Sequence, residues 1–180
     1  MKVIRKGIFS RIDQAYEIRV LDDSFFGQVV QLQNKVIEQL EDPSVLQALT
    51  TEEYEHIFSE EGLIIGCFVK EQLIAIRAMI FPPPEEEYLG EHARIPVDER
   101  HLIMYQEISF VDPDYTGNGI QQLLAEVIVE QVDQTRVRYM CATVQPTNIP
   151  SLLDKFRQGF VATAMGEIYP EKLRFVFVKD

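Results

Sequence analysis

The sequence has no long apolar run and no recognisable leader. It contains no stretch of about 18 uninterrupted apolar residues, which a membrane-spanning helix would need. The opening residues, MKVIRKGIFSRIDQAY, are basic but include neither the apolar block nor the small-residue cleavage site of a secretory signal. These absences predict a cytoplasmic protein with no membrane partner.

Cysteine and histidine are also scarce. The two cysteines, Cys67 and Cys141, both lie within apolar runs, which suits buried, reduced thiols better than a disulfide framework. The three histidines, His56, His92 and His101, lack the spacing of metal ligands. We therefore expect no metal.

Basic residues are outnumbered by acidic ones. The 17 lysines and arginines compare with 29 aspartates and glutamates, so the formal net charge is −12. The acids collect in three runs, EQLEDP, TTEEYEHIFSEE and PPPEEEYLGEH. Because a duplex nucleic acid needs a basic surface for its phosphates, this balance argues against such a partner, and we expect no nucleic acid. The runs suit either a cationic substrate or solvated faces that maintain solubility.

The length and composition fit one domain that spans residues 1–180. Of these residues 46% are hydrophobic, which is enough for one ordinary core. Segments with strand periodicity alternate with segments of helical periodicity, so the predicted fold class is α/β with a mixed sheet. The predicted elements, in chain order, are a strand at Ala15–Leu21, a helix at Phe25–Leu40 capped by Ser24, a helix after Pro43, a hairpin that turns at Lys70–Gln72, a strand at His101–Val111, a helix from Ile120, a strand at Tyr139–Val144, a helix at Pro150–Arg157 ended by Gly159, and two strands within 160–169 and 172–180.

One long segment, Pro82–Arg100, shows no clean periodicity. Structureless segments of this length in a compact domain are usually functional or disordered, so a lid is one interpretation. The segment is rich in glutamate and would attract an amine. Arg77 and Arg94 suit either an acidic substrate or pairing with nearby glutamates.

The stretch VDPDYTGNGIQQLL passes from a strand through two glycines into a helix. This arrangement leaves backbone N–H groups at residues 116–121 without intrahelical partners, and the helix dipole adds positive potential there. Gly117 and Gly119 let the backbone approach a ligand and adopt positive φ. The pattern is typical of a phosphate site, but a simple turn has the same sequence, and no Gly-Lys-Ser/Thr follows as in a P-loop.

Two linked motifs resemble the GCN5-related N-acetyltransferases, the GNAT superfamily. VDPDYTGNGIQQLL resembles that family's acyl-CoA motif, and PTNIPSLLDKFRQGF resembles its next conserved block. The resemblance covers Leu102–Phe160 and includes the helix and strand between the motifs. It implies the GNAT acyl-CoA N-acyltransferase fold, a mostly antiparallel central sheet with a splayed strand pair, flanked by helices.

The resemblance also implies a coenzyme, acetyl-CoA, and the residues that would hold it. Its pantetheine arm would bond the backbone of Phe110 and Val111 like an added strand, and Asn148 would help to hold that arm. The diphosphate would lie on the amides of the glycine loop. The loop residues implied are Thr116, Gly117, Asn118, Gly119, Ile120 and Gln121.

Three positions depart from the family pattern. Thr116 replaces the usual Arg or Gln, and Gln121 replaces a Gly or Ala, so its larger side chain is expected to crowd the start of the helix. Lys155 stands where a tyrosine, commonly proposed to protonate the departing thiolate, often occurs. The chain therefore lacks the usual acid.

Acetyl transfer to an amine needs a base and a donor for the developing oxyanion. Glu107 is the candidate base, because it lies in the central strand on the same face as Tyr105, Ser109 and Val111. The alternative is a strand acid that faces solvent or pairs with an arginine. The resemblance implies that a backbone N–H near Val111 stabilises the oxyanion. Tyr105 and Tyr139 are weaker candidates, and Tyr115 is expected to shape the loop.

Two functions remain open from the sequence. The first is direct acetyl transfer from acetyl-CoA to a primary amine, preferably on a small molecule and otherwise on a protein terminus or a lysine. The second is a CoA-binding or interaction module that has kept the fold without turnover, which Lys155 favours. The terminal strands would allow a homodimer.

Overall fold

A computed structural model describes residues 2–59, 61–82, 88–133, 135–169 and 172–180. The strands are β1 (Lys2–Phe9), β2 (Gln14–Val20), β3 (Gly62–Val69), β4 (Gln72–Ile80), β5 (Ile103–Val111), β6 (Tyr139–Val144), β7 (Val161–Tyr169) and β8 (Lys172–Lys179). The helices are α1 (Phe26–Glu38), α2 (Thr51–Phe58), α3 (Tyr88–His92), α4 (Ile120–Gln131) and α5 (Ile149–Arg157). The strands form one sheet in the order β1-β2-β3-β4-β5-β6-β8-β7. The predicted mixed sheet with flanking helices is confirmed.

Pairing within the sheet is antiparallel between β1 and β2, β2 and β3, β6 and β8, and β7 and β8. Strands β5 and β6 pair in parallel, with Ile103 opposite Tyr139 and Tyr105 opposite Cys141. The chain divides into two compact units, residues 1–79 with 107–131 and residues 80–106 with 132–180. Strand β5 contributes to both. The expected single domain remains a prediction.

The first unit packs helices against a strongly apolar part of the sheet. Strands β3 and β4 are buried over nearly their whole length, as their continuous apolar runs predict. Helix α4 buries Ile120, Leu124, Val127 and Ile128, a stripe at helical spacing that lies against β3. The predicted hairpin turn is confirmed, with positive φ at Lys70 and Glu71.

Three predictions of local structure need correction. Ser24 does not cap α1: it lies in a 3-10 turn, and the carboxylate of Asp22 accepts its backbone N–H at 3.2 Å. Strand β1 was not predicted, because only one of its eight residues, Phe9, is buried and the strand lacks an apolar alternation. The segment expected to be aperiodic contains α3 and a 3-10 helix at Val97–Leu102, while its residues 83–87 lie outside the described part of the chain.

The second unit ends in a hairpin at one edge of the sheet. Strand β8 lies between β6 and β7, and β7 is the edge strand. Helix α5 begins at Asn148 as its N-cap and ends before Gly159, whose φ of +84° suits the predicted C-terminal cap. Among the described residues, no helix combines the length and apolar character needed to cross a membrane.

Candidate functional site

The loop between β5 and α4 holds both motif glycines in the left-handed region. Gly117 has a φ of +78° and Gly119 a φ of +74°. A Cβ atom added to either glycine would meet no heavy atom of the described chain within 4 Å. Glycine is therefore favoured by the backbone conformation and not by crowding from the protein, and open space adjoins both residues.

The amide N–H groups that follow are available to a ligand. Within the described residues, the amides of residues 117–121 have no hydrogen-bond acceptor, and the first helical bond runs from Leu123 N to Gly119 O at 3.0 Å. Gly117 and Gly119 are exposed. The Asn118 side chain turns back and donates to Tyr115 O at 2.9 Å. With the positive end of the α4 dipole, these donors can receive an anion without a cationic side chain in the loop itself.

The residue before the loop, Asp112, is a buried anchor. Its carboxylate accepts from Lys35 Nζ of α1 at 2.7 and 2.8 Å, and its own amide donates to Ile74 O of β4 at 2.7 Å. Lys35 also reaches Asp114 at 2.8 Å, and these hydrogen bonds, first that to Asp112, raise the pKa of the Lys35 ammonium. The start of the loop is thus fixed to a helix and a strand, and Lys35 offsets the acids beside it.

Two arginines from distant segments reach the loop. Arg11, in the turn between β1 and β2, donates from Nη1 to Gly117 O at 2.7 Å. Arg77 of β4 is only 1% exposed and donates from Nη2 to Gln121 O at 3.2 Å. Both arginines place positive charge next to the loop. The loop itself has Thr116 at the position where the GNAT family usually has Arg or Gln.

The Gln121 side chain is held against the sheet. Its Oε1 accepts from Ser109 Oγ of β5 at 2.9 Å and from Arg77 Nη2 at 3.3 Å. These contacts give the amide a fixed position in place of the small residue that the family prefers. The expected crowding of the helix start by Gln121 remains a prediction.

Strand β5 carries the candidate chemical groups. Glu107 is exposed, whereas Tyr105, Phe110 and Val111 are buried. Successive backbone groups of a strand point to opposite edges, and the amide of Asp112 points to β4. The N–H of Val111 is therefore directed away from β4, as an oxyanion donor facing a neighbouring ligand would be. The roles of Glu107, Phe110 and Val111 remain predictions.

In the second unit, Lys155 belongs to a closed ring of four side chains. Lys155 is 7% exposed, and its ammonium donates to Gln106 Oε1 and lies 3.4 Å from Asp154 Oδ2. Gln106 donates to Gln158 Oε1 at 2.8 Å, and Gln158 donates back to Asp154 Oδ2 at 2.7 Å. The residue at the family's tyrosine position thus ties the last turn of α5 to β5.

Other polar residues of the second unit also serve local structure. The Asn148 side chain accepts from Ser151 N at 3.2 Å as the cap of α5, and its predicted contact with a coenzyme remains a prediction. The Tyr139 hydroxyl donates to Glu99, which also accepts from Arg138 Nη1 at 2.5 Å. The hydrogen bond to Glu99 raises the pKa of Tyr139. This partner was not predicted, because Glu99 lies in the segment without periodicity.

The cysteines and histidines form no reactive or metal-binding group in the described part of the chain. Cys67 and Cys141 are free and buried, as predicted, and burial raises the pKa of each thiol to about 12. No group of His, Cys, Asp and Glu with the geometry of a metal site occurs among the described residues.

Comparisons with known proteins identify the fold. No protein-family model and no curated protein match the sequence. Among solved structures, a GNAT-family acetyltransferase from Streptococcus pneumoniae is 20% identical, with a TM-score of 0.65 over 91% of this chain and 98% of that one. The ribosomal-protein-S18-alanine N-acetyltransferase from Escherichia coli is 12% identical, with a TM-score of 0.64 over 91% and 90%.

The Salmonella typhimurium protein yncA, solved with its cofactor acetyl-CoA, is similar to the same extent. It is 12% identical, with a TM-score of 0.67 over 92% of this chain and 93% of that one. At sequence identities of 12–20%, similarity of structure establishes the fold. The chain has the GNAT acetyltransferase fold.

Proposed function

We propose that this chain transfers an acetyl group from acetyl-CoA directly to a primary amine of a small molecule. The observation that carries the proposal is the loop at Gly117–Gly119, where unpartnered amides adjoin open space at the start of α4. That geometry suits the diphosphate of coenzyme A. The GNAT fold and the presence of acetyl-CoA in the similar protein yncA support the same coenzyme.

Because the acetyl group passes directly from the thioester to the amine, little covalent chemistry is required of the protein. The amine attacks the thioester carbonyl, its nitrogen loses a proton, and the C–S bond breaks to release the CoA thiolate. The N–H of Val111 would stabilise the tetrahedral oxyanion, a type of contact whose loss costs about 10²–10³ in rate. Exposed Glu107 would take the proton, directly or through water.

The departing thiolate would be protonated by water. Lys155, at the family's tyrosine position, is buried and engaged with Gln106 and Asp154. A thiol with a pKa near 8.5 is a good leaving group, so the reaction tolerates the loss of a positioned acid.

The second candidate function is a CoA-binding module without turnover. The specific observation in its favour is again Lys155, because a residue built into a side-chain ring supplies no acid to a thiolate. Binding of the coenzyme is common to both functions. Turnover, measured as release of the CoA thiol, distinguishes the two functions.

The test has two stages. Thermal unfolding with and without acetyl-CoA measures binding, since a ligand at 100 times its Kd adds about 2.7 kcal/mol to the free energy of unfolding. Release of free thiol is then followed with a panel of small primary amines and with peptides that carry a free N-terminus, the acceptor class suggested by the protein acetyltransferase from Escherichia coli.

Stabilisation together with thiol release from a small amine is the expected result. Release with peptides alone would move the acceptor to a protein. Stabilisation without release from any amine would favour the binding module, and no stabilisation at millimolar acetyl-CoA would overturn both functions.

A further inference from the structure

The positive charge of Arg11 lies against a neutral group of the loop. Its hydrogen bond goes to a backbone carbonyl, Gly117 O, and within the described residues it forms no ion pair. The neighbouring cations of the first unit differ, because Arg5 pairs with Glu130 and Lys35 pairs with Asp112. A guanidinium has five N–H donors, so Arg11 keeps most of its donors for another acceptor.

The side of the loop on which Arg11 lies is fixed by peptide geometry. In a planar trans peptide the C=O and the N–H point in opposite directions. The carbonyl of Gly117 and the amide of Asn118 belong to one peptide, so a guanidinium bound to that carbonyl lies opposite the amide. Arg11 and the Asn118 amide therefore face opposite sides of this peptide and are arranged to meet two different anionic groups.

We propose that Arg11 binds the 3′-phosphate of coenzyme A while the loop amides bind the diphosphate. The inference rests on the proposed function, since it assumes this coenzyme. Coenzyme A carries its phosphates as two separate anionic groups, and the exposed Arg11 fork matches the oxygens of a phosphate monoester. Arg11 thereby selects coenzyme A over dephospho-CoA.

The test is a cycle that removes the guanidinium and the 3′-phosphate separately and together. Calorimetry gives the Kd of wild type and Arg11→Met for CoA and for dephospho-CoA. We expect the substitution to weaken CoA binding by about tenfold and to leave dephospho-CoA binding unchanged, as a charged hydrogen bond of ordinary strength requires. Arg5→Met, which removes a half-buried arginine of β1 that pairs with Glu130, should alter neither Kd.

The outcomes distinguish a failure of the Arg11 assignment from a failure of the proposed function. Equal weakening for both ligands would overturn the assignment to the 3′-phosphate, and so would unchanged CoA binding or an equal effect of Arg5→Met. If wild type binds neither CoA nor dephospho-CoA, the proposed function itself fails. Melting of the ligand-free variants checks that Arg11→Met is folded.

Discussion

The polar groups of the glycine loop adjoin open space, whereas those of the last turn of α5 pair with one another. In the loop, consecutive amides have no acceptor among the residues that the structure describes and lie beside open space, and the side chains that reach it come from far along the chain. In the turn, Lys155 and its three partners satisfy one another in a closed ring that is largely buried. The first arrangement is suited to a ligand and the second to stability.

The two regions also show that similar departures from a family motif have different structural consequences. Both motifs resemble conserved blocks of the GNAT family, and both depart from the pattern at a polar position. At Gln121 the departure leaves the loop amides unpartnered, since its side chain bonds to Ser109. At Lys155 the departure replaces a group that would act on the coenzyme with one that holds the protein together. We therefore expect substitutions of Glu107 and of the loop glycines to lower activity or coenzyme binding, and those around Lys155 to change stability alone.

The largest effect is expected from Glu107→Gln. If exposed Glu107 is the base, kcat/KM should fall by about 10²–10⁴ while the melting temperature stays close to that of wild type. Steady-state thiol release measures the first quantity and thermal melting the second. Unchanged kcat/KM would remove Glu107 from the mechanism.

Asp112→Ala tests whether the loop depends on its anchor. The substitution leaves Lys35 without its buried partner and should lower the free energy of unfolding by about 3 kcal/mol. Asp114→Ala is the matched control, because it removes the exposed partner of the same lysine and should cost about 0.5 kcal/mol. Urea denaturation of both variants gives the comparison, and equal losses would contradict the role of Asp112.

Gly119→Val tests the left-handed backbone. No protein atom would meet the new Cβ, so any loss arises from the φ of +74° and from the space that the ligand needs. We expect about 2 kcal/mol of destabilisation, together with at least tenfold weaker acetyl-CoA binding by calorimetry. Gly27→Ala, within α1 and also in open space, should instead stabilise the protein by about 0.5 kcal/mol. Normal coenzyme binding by Gly119→Val would contradict the loop as the diphosphate site.

Lys155→Met tests the other region, the side-chain ring at the last turn of α5. It should lower the free energy of unfolding by about 1–2 kcal/mol, because Gln106 and Asp154 lose a buried partner. The pH profile of kcat should keep its shape. Arg157→Met, exposed in the same turn, is the control and should change stability little. A large fall in kcat with unchanged stability would show that Lys155 acts on the reaction.

The smallest effect concerns Cys67 and Cys141. A thiol reacts as its thiolate, and burial raises both pKa values to about 12, so neither should form a thiolate in the native state at pH 8. A thiol-specific reagent should label the protein only after unfolding. This protection also keeps the thiol-release assay free of background, and rapid native labelling would show that one cysteine is accessible.

Most of the secondary structure could be predicted from periodicity. Long apolar runs predicted β3 and β4, and a helical stripe predicted α4, because those elements bury continuous faces. Strand β1 buries only Phe9 among its eight residues and gave no such signal. The cap at Ser24 was wrong because a 3-10 turn precedes α1, and Asp22 caps that turn by accepting the Ser24 amide.

The candidate site could be predicted only where it is built from consecutive residues. The glycine loop is such a segment, and its positive φ values follow from Gly117 and Gly119 themselves. Arg11 and Arg77 reach the loop across more than forty positions of sequence, and nothing local in either sequence context distinguishes them from surface cations. Long-range pairing of this kind depends on the sheet order.

The contact between Lys35 and Asp112 joins residues separated by 77 positions. A buried carboxylate without its ammonium is costly, so neither residue can be exchanged alone without penalty. Among homologous chains, positions 35 and 112 should therefore covary, with an uncharged residue at one accompanied by an uncharged residue at the other.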